Sequence, residues 1–275
     1  MFTGLLLVLC ELAAASSVAV SPTWVDGTMP AGRAASFTVT VQNHGQTPMA
    51  FETRIDDFWY DSETMKGEFP PAGTTLRSLS GQMSIFPPRL IVPADGSADF
   101  SIIVEPGEEW IGSKFASLTV SSVPYNNEPT GVRLRNRLAF KVPVLLRSAG
   151  ETNYDLSVED MGATPPVGSA PATAVFTMTN TGDTHVRPRI VAALQDPDSG
   201  DIVASLDTRA PYFLLPGQRA TFPVDWSFDV PEGTYSIVGA VRFGEAGALP
   251  FSTSLVIPAT AAAENDSDVA EPAPL

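Results

Sequence analysis

Cysteine and histidine are scarce in this chain of 275 residues, which contains one Cys and two His. Disulfide frameworks and zinc sites need several such residues close together. His44 and His185 lie within three residues of a glycine and far from one another in sequence. We therefore expect both histidines to be solvated turn residues, and we expect no metal centre, no thiol chemistry and no cofactor.

The common catalytic motifs are also missing. The chain contains no Gly-rich phosphate loop, no Gly-x-Ser-x-Gly and no His-Glu-x-x-His. Asp196, Asp198 and Asp201 could together ligate Ca²⁺, but Asp-Pro-Asp-Ser-Gly is equally the sequence of a hairpin turn. Four dispersed tryptophans could line a sugar-binding surface, although in a β-sandwich such residues more often pack in the core or at its rim. We expect a protein that is not an enzyme.

Basic residues and long apolar runs are few. The chain has 16 Lys and Arg against 31 Asp and Glu, a formal net charge of −15, and so acidic a chain repels the phosphates of nucleic acid. No run reaches the roughly 18 apolar residues of a membrane-spanning helix. Leu5–Cys10 followed by Ala13–Ser17 instead resembles a signal peptide. We assign residues 1–17 to a signal and expect a periplasmic or secreted protein.

What the chain does contain is one pattern that occurs twice. Ala35–Gly45 and Ala174–Gly182 both alternate Phe, Val or Met with Thr, and both stop at Asn-x-Gly, a group that tolerates the positive φ of a tight turn. Later segments repeat in the same order, with Leu90–Val104 matching Phe213–Val224 and Gly112–Val120 matching Gly233–Val241. Self-similarity at a long period indicates two copies of one structural unit.

Short alternating strands punctuated by 25 Pro and 21 Gly predict an all-β fold of two tandem β-sandwich domains. We place the first domain at 18–147 and the second at 151–258, with Ser148–Gly150 as the linker. Residues 259–275 form an acidic tail that cannot bury enough apolar surface to fold, so we expect disorder there. Residues 61–82 are predicted as a loop or a distorted edge hairpin that the second domain lacks.

The most regular segment is Val132–Arg147. Its even positions are apolar apart from Asn136, and basic residues occupy most of its odd positions. This alternation predicts a half-buried strand with one apolar and one basic face. Pro143 cannot donate to a ladder, and a row of Lys and Arg commonly protects an edge, so we predict a strand at the border of its sheet. Two interpretations stay open: the apolar row faces the sandwich core, or it is offered to another polypeptide.

In their order, these features resemble the periplasmic pilus-assembly chaperones of the PapD-like family. The matching features are the strand that ends at Gln42-Asn43, the segment Phe86–Pro93, the strand Phe115–Ser121, and the alternating Leu134–Leu146 before a short linker. The resemblance implies two immunoglobulin-like domains. It also implies a chaperone that binds pilin-like fimbrial or coat subunits by adding the long strand of its first domain to an incomplete subunit. An outer-membrane usher is a further partner that the family suggests.

The resemblance also implies a set of partner-binding residues on that strand, namely Arg135, Arg137, Leu138, Phe140, Lys141, Val142 and Val144. In the family, two basic residues anchor the terminal carboxylate of the subunit. Here Lys141, Arg135 or Arg137 would supply the one on the strand. The other belongs to a Thr-Arg pair on the first strand, whereas Pro22–Gly27 contains Thr23 and no Arg, so the chain departs from the family pattern there.

Two other functions fit the sequence. The tandem domains could form a secreted surface or adhesive module without chaperone activity, acting through residues 61–82 or through a tryptophan surface. They could also be a carbohydrate-binding accessory domain cut from an enzyme, although this chain contains no catalytic partner for such a domain.

Overall fold

The computed structural model describes residues 18–125, 137–150, 152–167, 170–228, 230–244 and 247–258. Within these ranges the chain forms β-strands, one short 3-10 helix and no α-helix. In this part of the chain, no helix is long and apolar enough to cross a membrane. The predicted all-β fold of two tandem immunoglobulin-like sandwiches is confirmed. The predicted signal at 1–17 and tail at 259–275 lie outside the described residues.

The chain forms two compact units. Unit 1 comprises the described residues up to Asn153 together with Asp183–His185, and unit 2 comprises Tyr154–Gly182 and the described residues from Val186 onward. The elements of unit 1 are β1 Val18–Ser21, β2 Val25–Met29, β3 Ala35–Asn43, β4 Met49–Asp56, β5 Trp59–Tyr60, β6 Gly67–Glu68, the 3-10 helix η1 Ser80–Gln82, β7 Met83–Phe86, β8 Arg89–Val92, β9 Gly96–Val104, β10 Ser113–Val123 and β11 Ala139–Ser148.

Two sheets form the sandwich of unit 1. Sheet 1A has the strand order β1-β3-β9-β7, and sheet 1B has the order β2-β11-β10-β4-β8. Alternating apolar residues of both sheets point inward, so Val41 and Ile102 from sheet 1A share one core with Phe51, Leu118 and Val144 from sheet 1B. The opposite positions of sheet 1B point away from this core, and they form its outer face.

The first strand region of unit 1 divides between the two sheets. β1 pairs antiparallel with β3 in sheet 1A, and β2 pairs parallel with β11 in sheet 1B. Pro22 lies between them, where it has no ladder to interrupt. Both segments are border strands of their sheets.

Residues 57–82 fold back over part of the outer face of sheet 1B. β5 and β6 form a two-stranded hairpin, and Asp57 holds the rest of the segment in place. The fully buried carboxylate of Asp57 accepts hydrogen bonds from the backbone N–H of Gly73 (3.1 Å) and of Thr75 (2.7 Å), and from the hydroxyls of Thr75 (2.9 Å) and Ser78 (2.6 Å). The insertion is therefore an ordered element rather than a simple loop.

Unit 2 repeats the sandwich plan. Its strands are β12 Leu156–Thr164, β13 Ala172–Asn180, β14 Arg189–Gln195, β15 Ile202–Arg209, β16 Arg219–Trp226, β17 Gly233–Phe243 and β18 Gly247–Ile257. One sheet has the order β12-β13-β16 and the other the order β15-β14-β17-β18. The two sheets meet across Phe176 and Phe251, whose ring centroids are 5.1 Å apart.

The repeated Asn-x-Gly has the same contacts in both units. In each, the side-chain oxygen of a buried asparagine, Asn43 or Asn180, accepts a bond of 3.0 Å from the glycine N–H two residues later. In each, its amide nitrogen donates to the matching later segment, at Pro93 (3.0 Å) and at Leu214 (2.8 Å). Neither Gly45 nor Gly182 uses the positive φ that the group tolerates. The glycines serve as donors in an Asx-type turn.

Candidate functional site

The predicted border strand corresponds to β11, which is covered on its second flank over only part of its length. Along the whole of Ala139–Arg147, β11 pairs antiparallel with β10. On the other flank, β2 pairs only with Val144–Ser148. Among the described residues, no strand pairs with that flank of Ala139–Pro143, which we name the open flank. The expectation of an edge along the whole strand is therefore wrong for its C-terminal part, because β2 covers that part.

Even-numbered and odd-numbered residues of β11 direct their backbone N–H and C=O groups to opposite flanks of the strand. The carbonyl of Leu138 accepts from Ser122 N–H (2.9 Å), and Ser148 N–H donates to Gly112 (2.9 Å), so even-numbered residues direct their backbone groups toward β10. Ala149 N–H donates to Met29 on the β2 side (2.8 Å). Because backbone groups alternate along a strand, Ala139, Lys141 and Pro143 direct theirs to the open flank.

Pro143 fits this alternation. Its nitrogen carries no hydrogen and faces the open flank, so the proline removes no hydrogen bond between β11 and β10. The donors of the open flank are thus the N–H groups of Ala139 and Lys141, and its acceptors are the carbonyls of the same two residues, because the Pro143 carbonyl already faces Val25 where the parallel pairing with β2 begins. Unpaired groups of this kind can serve as a template for another extended chain.

Side chains of β11 divide between the two faces of sheet 1B. Val142, Val144 and Leu146 lie in the core of unit 1 with exposures of 1%, 0% and 0%. Phe140 packs half-buried against the rim of that core, and Leu138 is also half-buried. Of the two interpretations of the apolar row, the core-facing one therefore describes 142–146. Among the described members of the row, only Leu138 and Phe140 keep accessible apolar surface.

Several predicted residues lie in the segment before β11. Arg135, like Val132 and Leu134, falls in the range 126–136 outside the described residues. Arg137 is exposed, and its guanidinium contacts the carboxylate of Glu52 at 2.9 Å. Of the predicted partner-binding residues, the structure thus brings Arg137, Leu138, Phe140 and Lys141 together beside the open flank and places Val142 and Val144 inside the core.

The outer face beside the open flank carries a charged cluster around Asp56. This carboxylate, 4% exposed, accepts hydrogen bonds from Thr119 (2.7 Å), from Lys141 (3.0 Å) and from Arg54 (3.0 Å). The ammonium of Lys141 also lies 4.6 Å from the ring centre of Phe69 in the insertion. Sequence reasoning missed this cluster, although Glu52, Arg54 and Asp56 already occur at the period of two that places them on one face of β4.

Electrostatics keep Asp56 ionised. Burial alone would raise the pKa of Asp56, but the hydrogen bonds from Thr119, Lys141 and Arg54 outweigh burial and hold the pKa below its ordinary value. Lys141 is therefore paired with a carboxylate that is ionised at neutral pH.

A cavity of about 340 Å³ opens on this face. Its walls come from β4, β10 and β11 and from the residues just before β11, namely Glu52, Thr53, Arg54, Thr119, Ser121, Arg137, Ala139 and Lys141. We name it the basic groove, because three cations but only one carboxylate line it directly among the residues that the structure describes. Asp56 lies against Lys141 and brings the local balance to three cations and two anions.

His185 is buried and not solvated, so the expectation for this residue is wrong. Its exposure is 1%, and its ring contacts the Ser113 hydroxyl through Nδ1 (2.8 Å) and the Asp26 carboxylate through Nε2 (3.0 Å). Ser, His and Asp are the residue types of a nucleophilic triad, but Ser113 has no exposed surface for a substrate to reach. The cluster serves the packing of unit 1.

Other sequence candidates have structural explanations. Asp196 accepts from the backbone N–H of Asp198 (2.9 Å) and of Ser199 (3.1 Å), which is hairpin-turn geometry. In the described part of the chain, no group of three or more His, Cys, Asp or Glu is arranged to hold a metal. Trp110 and Trp226 are buried, with exposures of 3% and 4%, so these two tryptophans do not form a surface for sugars.

Comparison with known proteins gives likeness at the level of structure only. No protein-family model matches the sequence, and a search of curated proteins found no match. Among solved structures, the chain is similar to the class 5 fimbriae chaperone CfaA, with 11% sequence identity and a TM-score of 0.47 over 86% of this chain and 98% of that one.

Two further solved structures show a comparable likeness. The E. coli chaperone DraB has 15% identity and a TM-score of 0.41 over 86% of this chain and 98% of its own. A Salmonella enterica structure of SafA pilin in complex with the SafB chaperone has 16% identity and a TM-score of 0.42 over 87% of this chain and 96% of that one. These are proteins of the class that the sequence resembles. Identities of 11%, 15% and 16% indicate a shared fold alone, so function is inferred from the geometry of unit 1.

Proposed function

We propose that this chain is an exported chaperone-like protein that binds pilin-like fimbrial or coat subunits by strand addition at the open flank of β11. The observation that carries the proposal is the partial cover of β11, which β10 pairs along its length but β2 pairs only from Val144 onward. An added strand would complete sheet 1B at the point where β2 leaves it unpaired.

The chemistry of the open flank suits such a partner. Main-chain hydrogen bonds to Ala139 and Lys141 would supply affinity, and alternate side chains of the partner would meet Leu138 and Phe140 on one face and Lys141 on the other. Natural sheets usually protect an unpaired edge. On the open flank, the protecting residues are one lysine, Lys141, and one proline, Pro143. The accessible apolar surface of Leu138 and Phe140 lies beside this flank.

Substitution of Ala139 by proline tests the proposal most selectively. Ala139→Pro removes an N–H that faces the open flank and leaves the bonds of β11 to β10 intact, so we expect the variant to fold normally. Binding to a subunit should weaken by about tenfold or more, because a main-chain bond is lost and the proline ring obstructs the flank. Ala139→Val, which keeps the N–H, is the matched control and should bind like the wild type.

Candidate subunits come from affinity capture in the periplasm of the source organism, followed by mass spectrometry, and each is then purified and titrated. Circular dichroism verifies that both variants are folded. A subunit that binds Ala139→Pro as tightly as wild type would exclude strand addition at this flank. As a second measurement without substitution, the Lys141 amide should become protected from hydrogen exchange in the complex.

A further inference from the structure

The charges around the basic groove leave one cation in excess. Among the described residues, Arg54, Arg137 and Lys141 face only Glu52 and Asp56 there, in a chain whose formal net charge is −15. An excess positive charge beside a cavity in an acidic protein favours an anionic occupant.

The members of the groove differ in how firmly they are held. The Asp56 side chain is only 6% exposed and accepts from three donors, so it stays in place. The Arg137–Glu52 pair is exposed on both sides, at 65% and 48%. Exposed ion pairs contribute little stability, and the guanidinium of Arg137 can therefore turn to a new carboxylate with little loss.

The groove and the open flank are adjacent. Ala139 and Lys141 line the groove with their side chains and form the open flank with their backbone. In an added strand, residues directly opposite would have Cβ atoms about 5 Å away. Ala139 is exposed and carries only a methyl group, so an acidic side chain from across the flank can pass over it into the groove.

We propose that the groove selects the sequence of the added strand, which carries acidic side chains at the positions facing Ala139 and Lys141 and apolar side chains at the alternate positions facing Leu138 and Phe140. This inference rests on the proposed function, because it needs a strand at the open flank. It specifies the partner segment as an extended run in which apolar residues alternate with Asp or Glu.

Synthetic nine-residue peptides test the selection. Their sequences alternate Val with Glu, Val with Gln or Val with Lys, and C-terminal amidation removes the terminal carboxylate as an alternative source of negative charge. Titration followed by calorimetry and by exchange of the Lys141 amide should show the Glu peptide binding about fivefold more tightly than the Gln peptide, with the Lys peptide weakest.

Two variants test whether the basic groove causes the preference for the Glu peptide. Arg137→Gln should reduce the difference between the Glu and Gln peptides, and it leaves Asp56 and its partners untouched. Arg33→Gln, which removes an exposed cation elsewhere in unit 1, should leave the difference unchanged. If Arg137→Gln and Arg33→Gln changed the affinity difference between the Glu and Gln peptides equally, the groove would not be the source of that difference.

The outcomes separate the two proposals. If all three peptides protect the Lys141 amide with equal affinity, strand addition stands and the acidic preference is wrong. If no peptide protects the Lys141 amide, and a captured subunit also binds Ala139→Pro like wild type, strand addition itself fails. If the Glu peptide bound tightly without protecting the Lys141 amide, the peptide would be bound away from the open flank, and the inference would be overturned.

Discussion

His185 links the stability of unit 1 to pH at the scale of one residue. Burial is the main cause that lowers the pKa of His185, and the nearby Arg147 guanidinium lowers it further, while the hydrogen bond to Asp26 opposes the shift. Ser113 and Phe115 of β10 also contact the ring, and neither carries a charge. The imidazole is therefore neutral in the folded protein at neutral pH.

The expected consequence is a loss of stability on mild acidification. In the unfolded chain His185 binds a proton as pH falls through about 6.5, whereas the folded state resists it. The contribution of His185 to the free energy of unfolding should therefore be fully present well above that pH and be lost progressively as pH falls below it, by at most about 1.4 kcal/mol per pH unit. The pKa of Asp26 is lowered despite its burial, by His185 and Arg147, so this carboxylate acts at more acidic pH.

The measurement is urea unfolding at several pH values, followed by tryptophan fluorescence in a Trp226→Phe background so that the signal comes from unit 1. His185→Gln should flatten the dependence between pH 7 and 5.5. His44→Gln, at an exposed position, should retain it. An unchanged slope in His185→Gln would show that the histidine is not the titrating group.

At the scale of the element, β11 changes character along its length. Leu138, immediately before its N-terminal end, is half-buried, while Val142 is fully packed in the core. Leu138→Asp should therefore lower the free energy of unfolding by less than about 1 kcal/mol. Val142→Asp places an unpaired charge in the core and should lower it by about 3–5 kcal/mol. Urea titration of both variants measures this gradient, and equal losses would contradict the assigned burial.

The alternation of Val132–Arg147 was enough to predict a strand with a basic and an apolar face, and Pro143 correctly indicated an unpaired flank at its own position. The cover by β2 was not predictable, because that pairing joins residues more than a hundred positions apart and leaves no local pattern. For the same reason the partners of Asp56, which come from β4, β10 and β11, were not visible from the sequence.

At the scale of the whole molecule, the repeated pattern was the strongest sequence signal. The repeat predicts two sandwiches, and the structure gives its physical basis: Asn43 and Asn180 donate to corresponding backbone carbonyls in their own units. His185 was misjudged because proximity to Gly182 indicates a turn but says nothing of what packs around it. The composition of residues 61–82 indicates an extra segment, but the ordered insertion begins at Asp57 and depends on that buried carboxylate and on contacts that local composition does not encode.

The central claim is that β11 keeps an open flank in the free protein, and amide hydrogen exchange followed by NMR tests it most directly. We predict fast exchange at Ala139 and Lys141, whose N–H groups face the open flank, and slow exchange at Phe140 and Val142, whose N–H groups face β10. Equal protection of all four amides in the free protein would mean that another strand already covers this flank, and strand addition there would be contradicted.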